Sequence, residues 1–287
     1  IGDIFNELLY GDQPVGWPII GSKGVIKKLD RDTILAYRSK HSVPQATTVV
    51  VAGDIHTAAV IKQIKTLFEA VKRGKKHTKT PVRSSQKKPA LLLQTKTTDQ
   101  THLMLGFRTT HIAHKDVPAL NMLTAILGVG MSSRLFIKLR EEMGVGYYVR
   151  ASHNTFTDHG DLTISAGVDS KRLAEVVLAL LTECKKIRDE LVSPKELVKT
   201  KQYLIGNFEM GLESSDDLAE FYGLQEILRQ KIETPKDVQK KITKVTAADI
   251  RRVAREYFTA DRLNLAVLGP QADEAQLRKL LDTATSW

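Results

Sequence analysis

Shifted by 216 positions, one stretch of this chain lies on another without a gap: Leu29, Ile34, Val49, Val51 and Gly53 fall on Val245, Ile250, Leu265, Val267 and Gly269. Each copy, residues 29–55 and 245–271, reads as an amphipathic segment of helical period followed by a short apolar run that ends in Gly, a helix and then a buried strand. A repeat constrains the fold because both copies call for equivalent surroundings. The second copy is preceded by more than a hundred residues, about 90–216, with helix and strand patterns of their own. Their counterpart in the first copy would precede residue 1. The first unit is therefore expected to lack its front half and to leave a sheet surface uncovered within its first 70 residues.

The 287 residues, 42% of them hydrophobic, suffice for two cores. No apolar run approaches the roughly 20 residues of a membrane-spanning helix. A single cysteine, Cys184, excludes an internal disulfide. It shares a helical face with Leu173, Val176, Val177, Leu180, Leu181 and Ile187, which makes it packing rather than a reactive thiol. The chain begins with Ile, so a targeting signal upstream would be invisible and the compartment is left open.

The net charge of +10 raises the question of a polyanionic partner. Eight cations, Lys72, Arg73, Lys75, Lys76, Lys79, Arg83, Lys87 and Lys88, lie in one acid-free run that also holds Gly74, Pro81, Ser84, Ser85 and Pro89. That composition reads as a solvated linker over residues 72–89. No aromatic residue interleaves with the charges, so no nucleic acid is expected; docking of the run on an anionic surface or nucleic acid is the weaker alternative.

Helices are expected at about residues 2–10, 30–41 and 57–71, with TTVVVAG as a buried strand between the last two. Beyond the linker, ALLLQTKT and THLMLGFRT read as neighbouring strands, VPALNMLTAILG as a buried helix, and SRLFIKLREEM as a short helix stopped at Gly144. GYYVRASHNTF and GDLTISAGV form a hairpin around Thr157, Asp158, His159 and Gly160. Capping boxes are expected at Ser193/Glu196, Thr234/Asp237 and Thr246/Asp249. Grouped strands and helices without βαβ alternation indicate an α+β fold.

The segments QPVGWPIIGSKGVI, YRSKHSVPQATTVVVAGDI, ILGVGMSSRLFIKLREEMGVGYYVRAS and DHGDLTISAGV resemble the inverted-motif zinc metallopeptidases, the insulinase and mitochondrial-processing-peptidase family. The resemblance implies a clamshell of two homologous layered α/β halves. Here it divides the chain into 1–71, the rear of a truncated metal-bearing half, a linker at 72–89, and 90–287, a complete partner half. Zinc in that family sits on an H-x-x-E-H helix in the front of the first half, with the Glu taking a proton from bound water. None of His41, His56, His77, His102, His111, His114, His153 and His159 has that arrangement. The chain is thus expected to bind no metal and to hold no catalytic group, with zinc belonging to the parent protein.

What the resemblance leaves here is the substrate-binding pair, matched to Arg134 and Tyr147. A guanidinium and a phenol can donate hydrogen bonds to a peptide carbonyl and stabilise an oxyanion. Read from the residues alone, Arg134 serves a local carboxylate such as Glu141, and Tyr147 is strand packing. Tyr148 is set aside because adjacent strand residues alternate faces. The expected partners are the missing zinc-bearing segment and an extended peptide, with dimerisation left open. The alternative within the family is a non-catalytic pseudo-peptidase scaffold. The HxxH pair His111/His114 lacks a third ligand and is not taken as a metal site.

Overall fold

A computed structural model describes every residue except Gln230 and Gln271, the latter being the last residue of the second repeat copy. Two packing units emerge. One comprises Ile1–Trp17, Val82–Asn207 and Thr234–Trp287; the other comprises Pro18–Pro81 and Phe208–Glu233.

The first unit is built on one five-stranded sheet. Its strands are β1 (Ala90–Thr95), β2 (Thr101–Thr109), β3 (Gly146–Thr155), β4 (Gly160–Val168) and β5 (Leu263–Gly269), in the order β1-β5-β2-β4-β3. β1 and β2 are therefore not neighbours, contrary to the sequence expectation. The C-terminal strand β5 lies between them, parallel to β1 and antiparallel to β2. A local reading pairs strands that follow one another; here a strand more than 150 residues downstream supplies the ladder both need.

Alternation sorts the strands onto two faces. Leu103, Leu105 and Phe107 of β2, Leu162, Ile164 and Ala166 of β4, and Leu263, Leu265 and Val267 of β5 form one fully covered face. It is roofed by α5 (Val117–Gly128), α7 (Leu173–Asp189) and α11 (Ala247–Tyr257), whose inward residues belong to the same core. Cys184 is buried in α7 among the residues expected, and that burial pushes its thiol pKa up. The opposite face receives α1 (Gly2–Tyr10), which lays Phe5, Leu9 and Tyr10 against Ala266 and Met104. Phe5 can seat only because β2 offers Gly106: a Cβ there would stand 2.7 Å from the Phe5 ring. Tyr10 donates to buried Asp161 at 3.0 Å, and Asn154 donates to the other oxygen of that carboxylate at 2.7 Å.

The packing thus departs from the division at 71 and 89. Residues 1–17 join the sheet of the C-terminal part, and so does the rear of the basic run. Arg83 and Gln13 exchange backbone and side-chain bonds at 3.0 Å, and Gln86 donates to the Leu263 carbonyl at 2.8 Å. Residues 72–81 fall in the other unit, where the Gly74 amide donates to Gln45 at 2.9 Å.

That second unit holds α2 (Lys23–Lys28), α3 (Arg31–His41), α4 (Thr57–Phe68) and α9 (Ser215–Leu228). Here the repeat appears in backbone form. Helices α3 and α11 are the same eleven positions shifted by 216, and so are the 3-10 turns Pro44–Ala46 and Ala260–Arg262. The caps repeat as well: the Thr33 amide donates to Asp30 at 2.8 Å and the Asp249 amide to Thr246 at 3.1 Å. The strand does not repeat. Residues 47–53, expected as a buried strand, pair with no other strand among the described residues, and Val49 and Val51 are exposed. A strand exists only through its neighbours, and no described segment supplies a ladder for this one.

Helices between β4 and β5 account for the rest: α8 (Pro194–Met210), α10 (Pro235–Lys244) and α11, with α12 (Glu274–Asp282) after β5. The boxes at Thr234/Asp237 and Thr246/Asp249 form, as does a further one at Ser214/Asp217. At Ser193 the hydroxyl accepts the Glu196 amide at 3.2 Å, but the Glu196 carboxylate turns to Arg134 instead of the cap. No helix among the described residues is long and apolar enough to cross a membrane.

Candidate functional site

After α5 the chain turns at residues 129–133 and enters α6 (Arg134–Phe136), which passes directly into a π-helical turn, Ile137–Glu142. The wide turn is closed by Met143 N–H to Lys138 O at 3.1 Å and Val145 N–H to Leu139 O at 2.9 Å. Gly144, at φ 63°, ends it in the left-handed region that glycine occupies without strain. Arg172 braces the same turn, donating to the Met143 carbonyl at 2.9 Å.

β3 begins with a bulge. Gly146 pairs with Val168 and Tyr148 with Gly167, which leaves Tyr147 as the extra residue. Tyr147 is 59% exposed. Strict alternation therefore fails between Tyr147 and Tyr148, and it cannot be the reason for separating them. What separates them is their partners. Tyr148 lies over Gly167, its hydroxyl 3.1 Å from His102 Nδ1, and burial raises its phenol pKa. Tyr147 has no side-chain hydrogen bond among the described residues.

Arg134, the other residue of the expected pair, is not free. Its Nε and Nη2 each donate to one oxygen of Glu196 at 2.8 Å, a fork-to-fork contact in which both side chains are mostly buried. The Glu196 hydrogen bonds hold the guanidinium above its ordinary pKa against the opposing effect of burial. A local carboxylate partner was expected, but it comes from α8, 62 residues on, rather than from Glu141.

The guanidinium that accompanies Tyr147 belongs to Arg140. Its Nη1 donates to the carbonyls of Gly146 and Tyr147 at 2.5 and 3.2 Å, and its Cζ lies 6.0 Å from the centroid of the Phe136 ring. Among the described residues its Nε and Nη2 carry no partner, so N–H groups remain on offer beside an exposed phenol. Sequence reasoning passed over Arg140, although it stands in the same run, LREEMGVGY, one helix stop before the tyrosine.

No other group competes. The His111 and His114 rings meet edge-on at 5.6 Å, but His114 Nδ1 accepts the Asp116 amide at 3.2 Å, and the Asp116 carboxylate is bound by Arg252. Both nitrogens of His153 are engaged, by Asn121 at 2.7 Å and Thr109 at 3.1 Å, and burial pushes its pKa down to about 4. Among the described residues no three His, Cys, Asp or Glu side chains converge in a group that could hold a metal ion.

Residues 28–204 match the family model described as the peptidase M16 inactive domain. The uncharacterized zinc protease YmxG of Bacillus subtilis is 28% identical over 275 residues, 95% of this chain and 66% of that protein. The uncharacterized zinc protease ML0855 of Mycobacterium leprae is 29% identical over 286 residues, 98% of this chain and 64% of that protein. The chain thus spans less than two-thirds of the length of these curated relatives. Among solved structures, a protease from Helicobacter pylori shares the fold at TM-score 0.83 and 24% identity, covering 92% of this chain and 65% of its own. A peptidase M16 inactive domain from Pseudomonas fluorescens does so at TM-score 0.80 and 17% identity, over 94% of this chain and 65% of its own.

Proposed function

The chain belongs to the peptidase M16 family, and from that premise we propose that it is the rear portion of a zinc-dependent endopeptidase, contributing peptide binding but not the metal. A front segment bearing the inverted motif completes the protein and holds the zinc; this chain alone cleaves nothing. Residues 1–71 and 90–287 are then unequal descendants of one duplicated half, and 72–89 is their connector.

The observation that carries this reading is the bulge at the head of β3. Tyr147 and Arg140 present a phenol and free N–H groups at the start of an edge strand. A guanidinium held by its own bonds and an exposed phenol beside it suit a main-chain carbonyl of an extended peptide and the negative charge that grows on its oxygen. Arg134, committed to Glu196, supports the turn rather than the peptide. Expressing the full-length parent and measuring its zinc content and its cleavage of unfolded peptides tests the proposal. Stoichiometric zinc and cleavage that falls with Tyr147→Phe are expected. Zinc-free, inactive parent protein would overturn it in favour of a pseudo-peptidase scaffold.

A further inference from the structure

We propose that Glu196, with Lys199 one turn along α8, is a positioning residue for the Arg140/Tyr147 donor pair; this rests on the peptide-binding reading above. Four helices begin with a hydroxyl cap followed three residues later by a carboxylate, at Ser193, Ser214, Thr234 and Thr246. In the last three the carboxylate bonds back to the cap amide. Glu196 alone gives up that local role and reaches across to Arg134.

The contact is made where it has leverage. Arg134 is the first residue of α6, and from there to Arg140 the chain is continuously helical, with no loop to absorb a tilt. Six residues at helical rise place Arg140 roughly 9 Å further on. The segment before α6 is fastened to the same face of α8: Lys199 Nζ donates to the Ser132 carbonyl at 2.8 Å, and Ser133 Oγ closes the turn onto Gly130 at 2.7 Å. Beyond Arg140 the frame is equally tight, through its own bonds to Gly146 and Tyr147 and through Arg172 on Met143.

A mostly buried ion pair is a poor way to gain stability, since desolvation offsets much of its attraction and an apolar contact would also hold α6 on α8. What a two-point fork adds is direction: it fixes the rotation of the helix about its own axis, and hence where Arg140 points.

The test uses the full-length parent on an unfolded peptide. Glu196→Gln is expected to lower kcat on the order of tenfold with KM and zinc content little changed, because misplacement of a donor acts on the reacting geometry, and to lower Tm as well, because the mostly buried Arg134 loses its charged partner. Adding Tyr147→Phe to Glu196→Gln should then cost little more, since both act through one site. Hydrogen exchange at the Met143 and Val145 amides should quicken in Glu196→Gln while β5 stays protected. Wild-type kcat and exchange in Glu196→Gln, with only a lower Tm, would overturn the proposal and leave a structural pair. Should Glu196→Gln fail to fold, the exchanged pair Arg134→Glu/Glu196→Arg decides: recovery of kcat supports positioning, and folded but inactive protein overturns it. Undiminished kcat in Tyr147→Phe would instead sink the peptide-binding reading, whatever Glu196→Gln does.

Discussion

Residues 29–53 and 245–269 share helix bounds, turn and cap geometry, yet they differ in nearly everything that involves distant residues. Ile250 is fully buried and its counterpart Ile34 is 56% exposed; Val267 is 2% exposed and Val51 is 46%. Local chemistry wrote the same helix twice, because a cap and a hydrophobic period act within about four residues. The apolar run that follows became a strand only in the second copy, where β1 and β2 flank it. A buried strand is a property of its neighbours.

The sharpest way to break that contrast is truncation at matched positions. Ile250→Ala should lower unfolding stability by about 2–5 kcal/mol, whereas Ile34→Ala should stay within about 0.5 kcal/mol. Equal losses in urea titrations would mean that the first copy is as well covered as the second.

The second copy also makes a long-range ion pair that the first lacks. Arg252 reaches buried Asp116 at the start of α5, while the matching position is Ala36. Burial alone would raise the Asp116 pKa, but the hydrogen bonds and charge of Arg252 outweigh it and hold the carboxyl below its ordinary 3.8. The stability from this depression is present above that value and is lost as pH falls through it toward the lower folded value. Arg252→Gln should cost about 1–3 kcal/mol at neutral pH, and its stability should fall less steeply than that of the wild type between pH 5 and 2, roughly the interval in which such a carboxylate titrates. Parallel acid profiles would dissociate Asp116 from Arg252.

Limited trypsin digestion probes the seam between the two environments. Cleavage should occur at Lys72–Lys79 at least about tenfold faster than at Arg83 or Lys87, in a segment held by the Arg83 backbone on Gln13 and the Gln86 side chain on the Leu263 carbonyl. Preferential cutting after Arg83 or Lys87 would contradict the docking of that segment. The smallest effect concerns the caps. Thr246→Ala should lower unfolding stability by about 1 kcal/mol, while Asp30→Ala should reduce helicity without changing that stability, as circular dichroism can report.

Much of the fold was legible. The limits of α5, α11 and the β3–β4 hairpin follow from period, caps and the turn at Gly160. The neighbour relation of β1 and β2 was not legible, since β5 arrives from the far end of the chain. For the candidate site, the run that holds Tyr147 and Arg134 stands out in the sequence, but the carboxylate that Arg134 meets, Glu196, lies 62 residues away on another helix. Arg140 was overlooked because a π-helical turn, not a regular one, carries it back onto the Tyr147 carbonyl. Nothing in a linear string marks that change of pitch.

By itself, then, the sequence determined the repeat at a spacing of 216, the helix limits, the two-sided pattern of the strands and the family, all of which depend on residue type at short or fixed spacing. Tertiary structure alone decided which apolar run became a strand, that α1 covers the second face of the sheet, and which arginine attends Tyr147. Those outcomes depend on ladders, forks and close approaches between residues tens to hundreds of positions apart, and such partners are chosen only when the chain is folded.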